Sequence, residues 1–416
     1  MTAIQIAPDH LGNLSNDQNE KLKQMWTYVL NMLEPVHRPN LSKSQDDGST
    51  YTPKLAQSLQ QTSLSRSDIK SLREALDSVS SIALFTGFLN ALKQESPDRF
   101  LLRFLQARKW DTGKAFAMLV HALMWRNKHI NVDDNMVANT ELQALQHSRD
   151  QSDPQRAKAS QAFLEQLRIG KCFMHGTDRA GRPVLVLQGR LHKSTEKIDV
   201  LNRVILHMIE TVRLILVPPV ENVTVVFDMT GFSVSNMEYA AAKFLIECAQ
   251  TAYPEILGAM LIHNAPWAFA GIWKTMKRWI EPDLAARIHF TYTTAEIEQF
   301  IAPERLVKSL NGKDDWTFQF VEPVEGENNK MGDTLTRDEL LSERMGIGKE
   351  LLVATSGWVA AGDAQTTTSS RVELMDKLRV NYWKLDPYVR GRGNLDRTGV
   401  IQPGGVIDFY PESASN

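Results

Sequence analysis

Three short apolar runs constrain this chain most: VLVL at 184–187, VTVVFD at 223–228 and GAMLI at 258–262. Each is nearly continuous in large apolar residues and shows no clean in–out alternation, as expected of strands covered on both faces. A strand–turn–strand pattern over LRIGKCFMHGTDRAGRPVLVLQG, turning at 178–181, opens the series, and ARIHF at 286–290 closes it. Helical patterns at 199–217 and about 236–251 separate the runs. About five strands alternating with helices predict an α/β layer on a mostly parallel sheet.

Directly after the third run comes NAPWAFAGIWKTMKRWIEP, residues 264–282. On a helical wheel Phe269, Ile272, Trp273, Met276, Trp279 and Ile280 share one broad face, with Lys274 and Arg278 opposite. Lys277 lies at the edge of the apolar face. Two readings fit: a helix closing an ordinary core with Lys277 snorkelling to water, or a lid over an apolar cavity with Lys277 facing an anionic ligand. Glu247 sits within KFLIECAQTA, where a carboxylate is costly unless it is partnered. It can pair with Lys277 across the mouth of a cavity, hold part of a polar headgroup, or face water beside Lys243 one turn earlier.

Charge and composition narrow the function. The 416 residues carry 47 basic against 49 acidic side chains, a formal net charge of -2, which argues against a general nucleic-acid binder. Residues 97–128 hold seven basic and two acidic residues, a local +5 that suits a solvated face, an anionic membrane or a phosphate seat. Two cysteines give no disulfide framework and fit a reducing compartment. The start lacks the pattern of a signal peptide, and no run of about 18 apolar residues occurs, so membrane contact is expected to be peripheral. Catalytic signatures are missing: no G-x-S-x-G, H-E-x-x-H or P-loop, and no glycine-rich loop after the first strand. Asp228 ends a strand, where α/β enzymes place acids, but the following MTGFS equally reads as a turn capped by that aspartate. His175, His207 and His263 have no ligand spacing. Neither an enzyme nor a metal or organic cofactor is expected.

Four regions follow in order. Residues 1–62 hold a helix carrying Leu22, Met25, Trp26, Val29 and Leu33, then a linker at 37–62. Residues 63–130 form a helical subdomain whose capped start, Ser96-Pro97, precedes FLLRFLQARKW. The α/β layer occupies 131–326. After it, 327–416 reads as a polar-to-mixed extension returning to helix at 371–383 and docking back on the core.

LLRFLQARKWD (101–111), DRAGRPVLVLQG (178–189), VVFDMTGFS (225–233), YPEILGAMLIHNAPWAF (253–269) and KRWIEPDLAARI (277–288) resemble, in order, the signatures of the CRAL-TRIO lipid-binding domain family. More narrowly, these motifs resemble the fungal phosphatidylinositol transfer proteins of that family. Its tail motif NYWKLDPYVR resembles the azole-resistance-linked, sterol-binding yeast subgroup. The resemblance implies a non-catalytic carrier: a hydrophobic pocket floored by the sheet and closed by a gating helix, here about 267–280. One phosphatidylinositol would be exchanged between membranes. It implies headgroup contacts at Arg108, Glu247 and Lys277, with Lys109 and Thr275 nearby. Family members that bind phosphatidylcholine carry Ser and Thr where this chain has Val223 and Val225, so a sterol is the expected second ligand. Asn311-Gly312 stands where many members have two glycines. The family also implies a cytoplasmic protein visiting membranes such as the endoplasmic reticulum, lipid droplets or cell periphery. A lipid-sensing adaptor that presents phosphatidylinositol to lipid-metabolising enzymes is the competing role.

Overall fold

The computed structural model describes residues 10–37, 50–193, 196–361 and 365–411. The chain divides into two compact units, one of Met136–Asn329 with the segment from Arg390 onward, the other ending at Asn135 and completed by Lys330–Val389.

The first unit is built on five strands: β1 (Cys172–Thr177), β2 (Pro183–Gln188), β3 (Val223–Asp228), β4 (Leu257–His263) and β5 (Ile288–Thr291), in spatial order 1-2-3-4-5. β1 is antiparallel to β2 and every other neighbouring pair is parallel. The expected α/β layer is thus a mixed sheet, mostly parallel. Register sorts the side chains into two faces. Phe173, Val186, Val226 and Leu261 line one, which is sealed by Ile297, Ile301, Leu306, Val307 and Leu310. On the opposite face Leu185, Val225, Met260 and Ile288 form one transverse row and Leu187, Phe227, Ile262 and Phe290 a second.

The β1–β2 turn is held by a carboxylate with no solvent exposure. Asp178 Oδ1 accepts from the backbone N–H groups of Ala180 (2.9 Å) and Arg182 (2.8 Å). Its Oδ2 accepts from Arg182 Nε and from the Thr224 hydroxyl, both at 2.7 Å. Near the end of this unit Asn311 takes the left-handed conformation (φ 63°), which asparagine tolerates well. Gly312 follows because a Cβ there would lie 1.8 Å from the Leu306 carbonyl oxygen.

The segment from Arg390 is folded and held to this unit by charge. Within it, Asp396 accepts from Arg390 at 2.7 and 2.8 Å and from Arg392 at 2.8 Å. Arg397 pairs with buried Glu141 and with Glu327 (3.1 Å). Farther on, the Tyr410 hydroxyl accepts from the Thr177 N–H at 2.9 Å.

The second unit is helical. Asn16–Met32, Ser81–Leu92, Pro97–Ala107 and Thr112–Met124 share one core with Thr334–Ala361 and Gln365–Val389. The two last helices replace the expected polar tail with its single helix at 371–383. Their inward faces carry Arg344, Gly348, Thr355 and Arg371 among the leucines, and this breaks the apolar period. Arg344 donates to the carbonyls of Leu378, Leu89 and Lys93, each at 2.9 Å, and burial pushes its pKa down to about 10. Arg371 donates to Asp98 at 2.6 Å, as does Trp26 Nε1, and its guanidinium lies 4.0 Å from the Trp358 ring centre. The expected linker also contains structure: Thr52 caps a helix over Pro53–Leu59 that buries Leu55 and Leu59. Its 38–49 portion lies outside the described residues.

Two outcomes follow. Asp178→Ala strands the Arg182 side chain and the Thr224 hydroxyl, and should cost about 3–5 kcal/mol, read as a lowered denaturation midpoint; Thr224→Val should cost about 1 kcal/mol. For Asp396, burial acts to raise the carboxyl pKa, but hydrogen bonds from Arg390 and its charge outweigh it, holding the value at about 2 against 3.8. A depressed folded-state pKa stabilises above the unfolded value and is lost as pH falls. Protection of peptides spanning 390–397 in hydrogen exchange should therefore weaken between about pH 4 and pH 2.

Candidate functional site

Over the second face of the sheet lies the Trp-rich segment. It leaves β4 through Asn264, which is left-handed (φ 55°), donates from its N–H to the Thr291 carbonyl at 2.9 Å and from Nδ2 to the Thr230 hydroxyl at 2.9 Å. A helix runs over Phe269–Met276, tightens to a 3-10 turn at Lys277–Trp279, and ends in extended backbone at Ile280. Phe269 and Ile272 are buried and pack with Met229, Phe232 and Ile262. Trp273, Met276, Trp279 and Ile280 are half-buried, as the wheel orders them. Trp267, just before the helix, is 92% exposed.

Beneath the helix the floor is apolar and partly open. Phe227, Met260 and Ile288 remain half-buried although they face the interior row by row. Val223 and Val225 are buried on β3. Between them Thr224 turns to the sealed face, where its hydroxyl is bound by Asp178. Aromatic rings link floor to helix: Phe227 meets Phe232 (6.5 Å between centroids), Phe232 meets Phe269 (6.2 Å), and Phe290 meets Trp273 (5.3 Å), all edge-on. Half-exposed apolar side chains under a covering helix make a surface suited to a long apolar ligand.

Polar candidates fall at the edge. Thr275 and Lys277 are exposed; the Thr275 hydroxyl donates only weakly, at 3.4 Å, to the Gly271 carbonyl one turn back. Glu247 is not the costly internal carboxylate that its neighbours suggest. Its side chain is 57% exposed and pairs with Lys243 at 3.6 Å, because its helix turns this face to water. Arg108 and Lys109 belong to the helical unit. There Arg108 is half-buried and donates to the Ala107 carbonyl at 3.2 Å. Lys109 and Trp110 form two successive left-handed residues (φ 51° and 64°) between Pro97–Ala107 and Thr112–Met124.

Groups with catalytic potential are engaged elsewhere. Asp228 accepts from the Thr230 N–H at 2.9 Å, the turn-capping role open to it from sequence, and from Arg190 at 3.2 Å. His175 is bound to Asp314 (2.8 Å), and His263 lies 3.1 Å from the Thr291 hydroxyl. Burial pushes the thiol pKa of Cys248 up to about 12, and that of Cys172 upward too. Among the described residues no group of three or more His, Cys, Asp or Glu could hold a metal, and no helix is long and apolar enough to cross a membrane.

Residues 167–312 match the CRAL/TRIO domain and residues 68–121 the CRAL/TRIO N-terminal domain. A CRAL-TRIO domain-containing protein of Schizosaccharomyces pombe is 34% identical over 94% of this chain and 92% of its own length. The chain belongs to the CRAL-TRIO family. A phosphatidylinositol transfer protein of Eremothecium gossypii, CSR1, is 35% identical over 80% of this CRAL-TRIO chain and 75% of its own. Another of that description in Saccharomyces cerevisiae, PDR17, is 26% identical over 52% and 58%. The chain is thus a lipid-binding protein of CRAL-TRIO type.

The role of Phe227 was not legible in the sequence because VTVVFD is apolar on both faces and gives no alternation to sort it. Placement separates two aromatic residues at the start of the covering segment. Phe269→Ala should cost about 3–5 kcal/mol, whereas Trp267→Ala should shift stability by less than about 0.5 kcal/mol; both are read from denaturation midpoints.

Proposed function

We propose that this CRAL-TRIO protein takes up one phosphatidylinositol on the open face of its sheet, under the 269–276 helix, and carries it between membranes. The observation behind this reading is the partly open apolar floor beneath a helix that buries only Phe269 and Ile272. The names of two relatives support the choice of headgroup. Lys277 and Thr275 offer donors to the lipid phosphate, and Glu247 accepts from inositol hydroxyls in place of its exposed pair with Lys243. Trp267, an exposed amphipathic ring, suits the headgroup level of a bilayer. Membrane contact is peripheral and transient, from the cytoplasmic side of membranes such as the endoplasmic reticulum.

A sterol is the proposed second ligand. Val223 and Val225 bring methyl groups to β3, and the strand's one hydroxyl, Thr224, is committed to Asp178. A phosphocholine phosphate would lack those partners, at a cost of about 1–3 kcal/mol for each one missing.

The test loads the protein with labelled phosphatidylinositol and follows its passage from donor to acceptor vesicles. Wild type should transfer well above the spontaneous rate; no transfer sinks the proposal. Lys277→Ala with Glu247→Ala should lower phosphatidylinositol transfer at least tenfold and leave sterol binding and the denaturation midpoint in place. Loss of both ligands together would make these residues structural.

A further inference from the structure

We propose that Gln250 is a positioning residue that latches the far end of the covering helix, so that its side-chain amide controls lipid release. This rests on the reading of that helix as a lipid cover. Gln250 Nε2 donates to the Trp279 carbonyl at 3.1 Å, and its Oε1 accepts from the Glu281 N–H at 2.7 Å. One amide thus binds a backbone acceptor and a backbone donor two residues apart, where the 3-10 turn has ended. The Tyr239 ring meets the Trp279 ring edge-on beside this clamp, with centroids 6.2 Å apart.

Local backbone separates this amide from nearby Glu247. Residues three apart share a face of an unbroken α-helix. Here the Tyr239–Glu247 helix passes into a π-turn over Cys248–Ala252. The wider turn redirects Gln250 toward 279–281 while Glu247 stays in solvent with Lys243. At the other end the segment is tied by Asn264 to Thr291 and Thr230. Between those ties, Gly271 has open space around it and Lys274 and Thr275 are exposed. The segment is therefore a span fixed at two ends, and Gln250 holds the one that carries Lys277.

The clamp makes a backbone-specific prediction. In Gln250→Ala both hydrogen bonds go; in Gln250→Glu the acceptor for Glu281 stays but a carboxylate oxygen faces the Trp279 carbonyl. Hydrogen exchange is measured on full-length wild type and both variants without lipid. Release of fluorescent phosphatidylinositol from loaded protein to phosphatidylcholine vesicles is measured in parallel. Peptides covering 279–284 should exchange roughly tenfold faster in Gln250→Ala, with β3 and β4 peptides unchanged. Release should accelerate at least threefold, with the amount of lipid bound at equilibrium within twofold of wild type. Unchanged exchange at 279–284, faster exchange spread through the sheet, or unchanged release from a protein that does load lipid would each overturn the latch. If wild type loads no phosphatidylinositol, the transfer reading falls by itself and the exchange data alone decide whether Gln250 clamps the segment.

Discussion

One buried carboxylate decides which side chains the sheet offers to a ligand. Asp178 has no solvent exposure and four donors, so its burial cost is offset only while the β1–β2 turn and the Thr224 hydroxyl stay in place. Strand side chains alternate, and a slip of one residue would reverse every one of them. With Thr224 held on the sealed face, Val225 and Phe227 must lie on the other, beneath the covering helix. The turn and the apolar floor are therefore one structural decision, made by a residue bonded to β3 from its sealed face.

That coupling explains how much of the fold was legible in sequence. The strands and their mostly parallel pairing came through because near-continuous apolar runs between helical stretches leave few alternatives. The turn at 178–181 was visible as well. The sorting of VTVVFD into two faces was not, since its one polar interior residue, Thr224, is spent on Asp178 across the sheet. Of the readings open for Glu247, the structure shows the pair with Lys243. Neighbouring apolar residues imply burial only when the helix turns them all inward, and here the carboxylate lies on the watered side. The wheel holds over 269–276, where Phe269, Ile272, Trp273 and Met276 follow one helical period; the expected helix to 280 is too long, since a 3-10 turn and extended Ile280 replace its end.

The helical unit shows the opposite failure. Thr334–Ala361 buries an arginine, a threonine and a glycine on its inward side, so its pattern reads as mixed although it joins a large core. Those polar residues are tolerable because each has a defined task. Arg344 satisfies carbonyls at the end of Ser81–Leu92 and on the partner helix, and Arg371 stacks on Trp358 while neutralising Asp98. A hydrophobicity scan cannot see partners 250 or more residues away in sequence. Pairings of that separation emerge only once the chain has folded.

A cover that must open has to be held weakly enough to lift and firmly enough to keep water from the floor. Burying a large apolar side chain contributes about 1.5–3 kcal/mol, so Phe269 and Ile272 together hold the 269–276 helix by about 3–6 kcal/mol. That is within reach of a bilayer, which can take up the half-buried faces of Trp273, Met276 and Trp279 along with exposed Trp267. Had all six apolar residues of the wheel been buried, lifting the helix would compete with unfolding the unit. The half-burial of four of them is what makes a reversible cover physically reasonable on this fold.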